Sequence, residues 1–137
     1  MIRINTKNKK DLEKIYIHDF VITDFNYNSG MEKLSINLLS SRKELKNIEL
    51  IFNNLIFLQF QDCDFWLSSY YKCTDSINID GNFTYYKKLL KEFKSTGNKE
   101  DNYYPDKFNK ENMEIIITTL TGGEIRIICR EIMINEI

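Results

Sequence analysis

The sequence predicts an α+β fold dominated by antiparallel strands, a curved sheet or half-barrel of about six to eight strands with one covering helix. Three observations carry this. Apolar residues alternate with period two along several short segments, one segment alone carries the 3.6-residue period of a strong amphipathic helix, and the clearest segments are joined by short Gly- and Asn-bearing turns. At 137 residues, 42% hydrophobic and with a single proline, the chain is long and apolar enough for one domain, residues 1–137, with its own core.

The elements follow in order. Lys9 to Tyr16 places Leu12, Ile15 and Tyr16 on one side at helical spacing, which suits a short helix or turn. Ile17 to Tyr27 alternates, with Val21, Thr23, Phe25 and Tyr27 on one face and Phe20, Ile22, Asp24 and Asn26 on the other. Asn28-Ser29-Gly30 supplies a turn, and Leu34, Ile36 and Leu38 resume the alternation, so the pair reads as a hairpin with one solvated face at an outer position in the sheet. Ile48 to Phe52 and Leu55 to Phe60 are two strands apolar on both faces, separated by a turn or bulge at Asn53-Asn54. Another short strand is expected at Ser76 to Ile79.

The helix begins near Phe83 with Asn82 as its cap, carries the stripe Tyr86, Leu89, Leu90 and Phe93, and ends at Gly97. Its role is to cover a sheet face. Ser95 to Asn112 is polar, holds Pro105, and reads as a surface loop whose Tyr103, Tyr104 and Phe108 suit it to contact. The C-terminal segments, Met113 to Leu120 and Glu124 to Ile134, flank Thr121-Gly122-Gly123 and form a hairpin. Their runs Ile115-Ile116-Ile117 and Ile127-Ile128 need cover on both faces, which makes these strands central.

Composition excludes several functions. The net charge of −1 and the acidic residues directly after the Lys7 to Lys10 run argue against nucleic acid as a partner. No apolar run approaches the roughly 18 residues of a membrane span, and no apolar leader follows Met1, so a cytoplasmic protein is expected. Three cysteines without CxxC spacing read as reduced thiols. The lack of Ala, the single Val21 and the abundance of Ile, Lys, Asn, Tyr and Phe read as the coding bias of an AT-rich, bacterial genome rather than as a ligand signal.

His18, Cys63, Cys73 and Cys129 are the right residue types for zinc, but their spacing matches no ligand pattern, and the Ser76 to Gly81 segment lacks the acids of a calcium loop. No metal or cofactor is expected. Phosphate-loop, dinucleotide and GxSxG motifs are absent. Two segments remain as candidates. His18-Asp19, placed on a strand, points to opposite faces, which favours a structural role, although His18 with a remote carboxylate would make a general base. Asp62-Cys63-Asp64-Phe65-Trp66 sets two acids, a thiol and the sole Trp just after a buried strand. Its plainer reading is a corner where Trp66 closes the core and the acids bind turn amides. The flanking acids argue against Cys63 as a nucleophile.

His18-Asp19 opening a strand, the hairpin after it, the Phe57 to Trp66 stretch and a terminal Gly-Gly hairpin ending in Ile127-Ile128-Cys129 form an order of parts that resembles small β-rich bacterial proteins of the immunity type found in polymorphic toxin systems. That resemblance implies a noncatalytic module binding another protein. The surface expected to do so combines Tyr103, Tyr104 and Phe108 with Asp62, Asp64 and Trp66, since aromatics supply contact area and acids complement a basic partner. The alternative is a ligand-binding or hydrolytic domain with a pocket near His18, Asp19, Cys63 and Trp66. A third outcome is a homodimer formed through a strand edge.

Overall fold

The computed structural model describes residues 1–95 and 110–137. Among these are nine strands: β1 (Ile2–Ile4), β2 (Val21–Asn28), β3 (Lys33–Leu39), β4 (Ile48–Asn53), β5 (Phe57–Gln61), β6 (Thr74–Ile79), β7 (Met113–Thr119), β8 (Glu124–Cys129) and β9 (Glu131–Glu136). One α-helix, α1 (Thr84–Ser95), and two 3-10 turns, Lys9–Lys14 and Ser69–Lys72, complete the set. The expectation of a single curved sheet is corrected: the strands form two antiparallel sheets, ordered β1-β9-β4-β3-β2 and β5-β8-β7-β6.

Two long chain segments are shared between the sheets. Residues 48–61 run from β4 into β5, residues 124–136 run from β8 into β9, and each half of one pairs with a half of the other. Phe52 lies opposite Ile132 before the bend, and Phe57 lies opposite Ile128 after it. The bend falls at Asn54, which takes φ +53, on one segment and at Arg130 on the other. Asn tolerates that left-handed conformation better than most residues because its short amide bonds locally. Folding the ribbon here turns both inner faces toward one core, where Ile36, Leu50, Phe52, Ile115, Ile117, Ile125, Ile127 and Ile132 are all sealed from solvent.

The sheets also approach at their far sides. Val21 bridges Cys73, the Asp19 amide donates to the Thr74 carbonyl (2.9 Å), and the Thr74 amide donates to the Phe20 carbonyl (2.7 Å). The first 3-10 turn packs against β1 and β6 and inserts buried Leu12 into the core. On the other side, β5 is the terminal strand of its sheet and β2 the terminal strand of the other.

Strand β2 differs from its expected phase. An extra residue at Thr23 breaks the register with β3: Ile22 pairs with Leu38, but Asp24 pairs with Asn37. A bulge of this kind reverses which side chains face inward. Ile22 and Phe25 therefore lie on the same face, opposite buried Leu38 and Ile36, instead of on opposite faces. Beyond the bulge β2 overhangs the core, and Phe25 and Tyr27 remain exposed.

Helix α1 lies over the outer face of the second sheet. Its Tyr85 ring stacks on Phe57 of β5 (centroids 5.9 Å apart) and its hydroxyl reaches Gln61 at 3.3 Å. Asn82 is not the cap. The chain turns through Phe83 at φ +51, and the first amides of the helix are met by the Glu114 carboxylate, 2.8 Å from the Tyr85 nitrogen. No helix among the described residues is long and apolar enough to cross a membrane.

Candidate functional site

The corner after β5 is built by local chemistry. Asp62 takes φ +55 and turns the chain out of the sheet, and the Cys63 thiol points back to the Gln61 and Glu124 carbonyls, each 3.4 Å away. The Leu67 amide closes a turn on the Asp64 carbonyl (3.1 Å), after which the second 3-10 turn returns the chain to β6. The corner rests on the β7–β8 hairpin at Gly123. A Cβ placed there would lie 2.8 Å from the Asp62 carbonyl oxygen and 3.1 Å from the Cys63 sulfur. Gly123→Ala should therefore cost about 1–3 kcal/mol, the range for forcing an atom into filled space. A urea midpoint unchanged from the parent chain would mean that the corner can give way.

Three phenylalanines fill the space between the terminal strands β2 and β5. Phe25 meets Phe60 edge-on (5.2 Å) and stacks on Phe65 (5.9 Å), while Phe60 and Phe65 meet edge-on (6.1 Å). Such pairs contribute about 0.5–1.5 kcal/mol each beyond the area they bury, so the cluster holds the corner in place. Outside it, Trp66 is 78% exposed, Leu67 57% and Tyr70 58%. The reading of Trp66 as a core-closing residue is thereby corrected: Phe65, one position earlier, points inward and leaves Trp66 in solvent. The Asp62 and Asp64 side chains make no hydrogen bond or ion pair among the described residues, so the acids do not bind turn amides either.

His18 and Asp19 precede β2 in a turn, because the strand starts at Val21 and not at Ile17. The opposite-face expectation fails for that reason. Asp19 takes φ +64, and its carboxylate lies 3.5 Å from His18 Nε2, while Asp75 on β6 lies 3.0 Å from Nδ1. The imidazole is thus held between two carboxylates. Cys63 belongs to the corner, so its recorded partners and those of His18 do not overlap.

None of the thiols is activated. Burial pushes Cys63 up, helped by the charges of Asp62 and Asp64 against two backbone hydrogen bonds; burial and the Asp19 charge raise Cys73; full burial raises Cys129 far above the ordinary range. A thiolate nucleophile needs the opposite shift. Among the described residues no group of three or more His, Cys, Asp or Glu side chains is arranged to hold a metal ion.

A second polar cluster sits beneath α1 and was not anticipated from the sequence. Arg126 on β8 contacts Asp80 (3.1 Å), Glu124 (3.2 Å) and Glu114 (3.5 Å), and its guanidinium lies 4.5 Å from the Tyr85 ring centroid. The Glu114 side chain is 0% exposed and accepts hydrogen bonds from the Tyr85 and Tyr86 amides. A carboxylate at a helix N-terminus satisfies otherwise orphaned amides and opposes the positive end of the dipole. The cluster is therefore read as the fastening of α1 to the sheet. Its sequence signal was a charged residue inside each of two otherwise Ile-rich runs, Glu114 before Ile115-Ile116-Ile117 and Arg126 between Ile125 and Ile127, which the hairpin register makes diagonal neighbours on the outer face.

Burial raises the Glu114 carboxyl above its usual value of 4.5, with the Asp80 charge adding to it and the two amides and Arg126 opposing. Burial pushes Asp80 the same way but is outweighed by hydrogen bonds from Thr84, the Asn82 amide and Arg126, which hold it below 3.8. The raised group binds protons more tightly when folded, so Glu114 makes stability fall as pH rises from 4.5 through its folded value. Asp80 contributes the reverse, stability present above 3.8 and lost as pH falls through its lowered value. In Glu114→Gln the first effect is gone. The difference in unfolding free energy, variant minus parent, should move in the variant's favour between about pH 4 and pH 7; a constant difference would contradict the assigned burial of this carboxyl.

Hollows among the described residues lie elsewhere. A groove of about 660 Å³ opens where β4 begins and β9 ends, and a smaller hollow of about 240 Å³ lies on β2, β3 and β4. Neither is lined by His18, Asp19, Cys63 or Trp66. Tyr103, Tyr104 and Phe108 lie outside the described residues. No family model matches the chain, and neither a curated protein nor a solved structure matches it.

Proposed function

We propose that the chain is a noncatalytic protein-binding module, of the immunity type suggested by its order of parts, and that it docks a basic partner on the corner formed by Asp62, Asp64, Trp66, Leu67 and Tyr70. The observation that carries the proposal is the exposure of Trp66, Leu67 and Tyr70 outside the Phe25–Phe60–Phe65 cluster, next to two carboxylates without a partner among the described residues. Soluble monomers rarely leave large apolar groups together in water, and Trp and Tyr are enriched at the centres of interfaces. A rigid aromatic base lowers the entropy lost on docking. Asp62 and Asp64 supply charge complementarity and steering toward a basic surface.

The hydrolytic alternative rests on the short His18–Asp75 contact, which resembles the orienting of a general base. Both partly exposed thiols have raised pKa values, and neither the groove at β4 and β9 nor the hollow on β2, β3 and β4 is lined by His18. The docking proposal is tested by placing the photo-reactive residue benzoylphenylalanine at position 66, 70 or, as a control on the exposed β3–β4 loop, 44, and irradiating the source cells. One basic protein captured from 66 and 70 but not from 44 is expected. Specific capture from 44 alone would move the interface away from the corner.

A further inference from the structure

The groove at the other end of the 48–61 segment from the corner is independent of the docking proposal. Its floor is formed by Phe20, Ile48 and Ile134, which belong to the core, and its walls by Ile15, Tyr16 and Leu45. Lys14, Ile15 and Tyr16 come from the end of the first 3-10 turn and Leu45 and Lys46 from the β3–β4 loop, so the groove lies between these two segments, with apolar groups and polar ones both in its lining. Its volume of about 660 Å³ falls within the usual range of small-molecule sites, roughly 300–1,000 Å³.

The lining of this groove carries two ammonium groups, Lys14 and Lys46, and one carboxylate, Glu136. Lys14 lies 3.3 Å from Asp11 and Lys46 lies 3.6 Å from Glu136, and both lysine side chains are largely in water. Exposed pairs of this kind hold their partners weakly, and each ammonium has three donors for one recorded carboxylate. Both can therefore bind a further anion without giving up their present contacts. An apolar floor below cations on flexible stems is the pattern that takes an amphiphile, with its hydrocarbon down and its anionic head at the rim.

We propose that this groove binds a single-chain amphiphilic carboxylate, its hydrocarbon on Phe20, Ile48 and Ile134 and its head group between Lys14 and Lys46. A free acid and the head region of an anionic bilayer share that chemistry. A groove of about 660 Å³ set between two chain segments favours the free molecule, since a bilayer needs a broad apolar face to enter.

The test uses the fluorescent fatty-acid analogue 11-(dansylamino)undecanoate with the full chain. Saturable, one-to-one binding is expected with a Kd on the order of 10 µM, well within what ligands of about 30 non-hydrogen atoms reach. Laurate should displace the probe, and dodecyltrimethylammonium should do so at least tenfold less well. Leu45→Trp, which fills the slot, should weaken binding at least tenfold; Lys14→Glu with Lys46→Glu should weaken it severalfold. The double variant changes exposed side chains only, so it serves as the test if Leu45→Trp does not fold. No saturable binding, equal displacement by the cationic amphiphile, or affinity unchanged in the double variant would overturn the proposal. So would flotation of the chain with phosphatidylglycerol vesicles together with no uptake of the free probe, which would assign the lysines to a membrane surface.

Discussion

Arg126→Ala is expected to lose about 3–5 kcal/mol of unfolding free energy at pH 7, the range for removing one partner of a buried ionic cluster. Among the described residues the arginine is the cation that pairs with Asp80, Glu114 and Glu124, and Glu114 has no access to water. Without the guanidinium, Glu114 keeps its two helix amides but loses the opposite charge beside it, while Asp80 still repels it. The fold must then hold a buried charge or take up a proton. Tyr85 loses the nearer of its two cations, keeping Lys88 at 5.7 Å but losing the one on the sheet, which loosens α1 from the sheet. The deficit should shrink as pH is lowered toward 4, because Glu114 is then protonated in parent and variant alike. Urea denaturation at the two pH values checks this. A loss below about 1 kcal/mol at pH 7 would be the value of a surface pair and would refute the role given to the cluster.

Asp62→Lys with Asp64→Lys is expected to weaken the captured partner's affinity by about 100-fold or more, equivalent to about 2.7 kcal/mol. Each substitution removes an attraction and adds a repulsion, so much of the effect should be in the association rate, and it should diminish at high salt. Trp66→Ala should act differently. A central aromatic anchor costs about 2 kcal/mol or more, mainly through faster dissociation, with little dependence on salt. Trp66→Ala should not move the stability of the free chain by more than about 0.5 kcal/mol, since Trp66 is mostly solvated, whereas Asp62→Lys sets a long side chain at a left-handed backbone position and should cost about 1 kcal/mol. Surface plasmon resonance at low and high salt separates the two. Unchanged rate constants in both variants would remove the corner from the interface.

Much of the fold was legible because its signals are local. The Gly122-Gly123 turn, with Gly122 at φ +90, joins two Ile-rich strands as expected, and β8 and β7 are the central pair of their sheet. The β2–β3 hairpin also stands where its alternation put it, with β2 outermost. The division into two sheets was not legible. It depends on a bend at Arg130, inside a run, Cys129-Arg130-Glu131-Ile132, that contains no turn residue and keeps its β character on both sides. The bulge at Thr23 leaves no mark either, since one added residue in an alternating strand still alternates on paper. Strand β1 has only three residues and borrows its conformation from β9.

The candidate site was half legible for similar reasons. Asp62, Asp64 and Trp66 stood out as a concentration of functional residue types at a strand end. Phe25, Phe60, Leu67 and Tyr70 did not, because their exposure follows from the gap between β2 and β5, a property of sheet order. The run Phe65-Trp66-Leu67, followed by Tyr70-Tyr71, did carry a usable signal. Consecutive large apolar residues that fit neither period two nor period 3.6 cannot all be buried by one element.

The central claim is that the corner, and not the His18 turn or the groove, is where another protein docks. Hydrogen exchange of the chain with and without the partner captured from positions 66 and 70 tests it most directly. Protection on binding should appear at amides of residues 57–71 and along β2, with the amides around His18 and Lys46 unchanged. Protection confined to residues 14–20 and 45–48, with residues 57–71 exchanging as in the free chain, would contradict it.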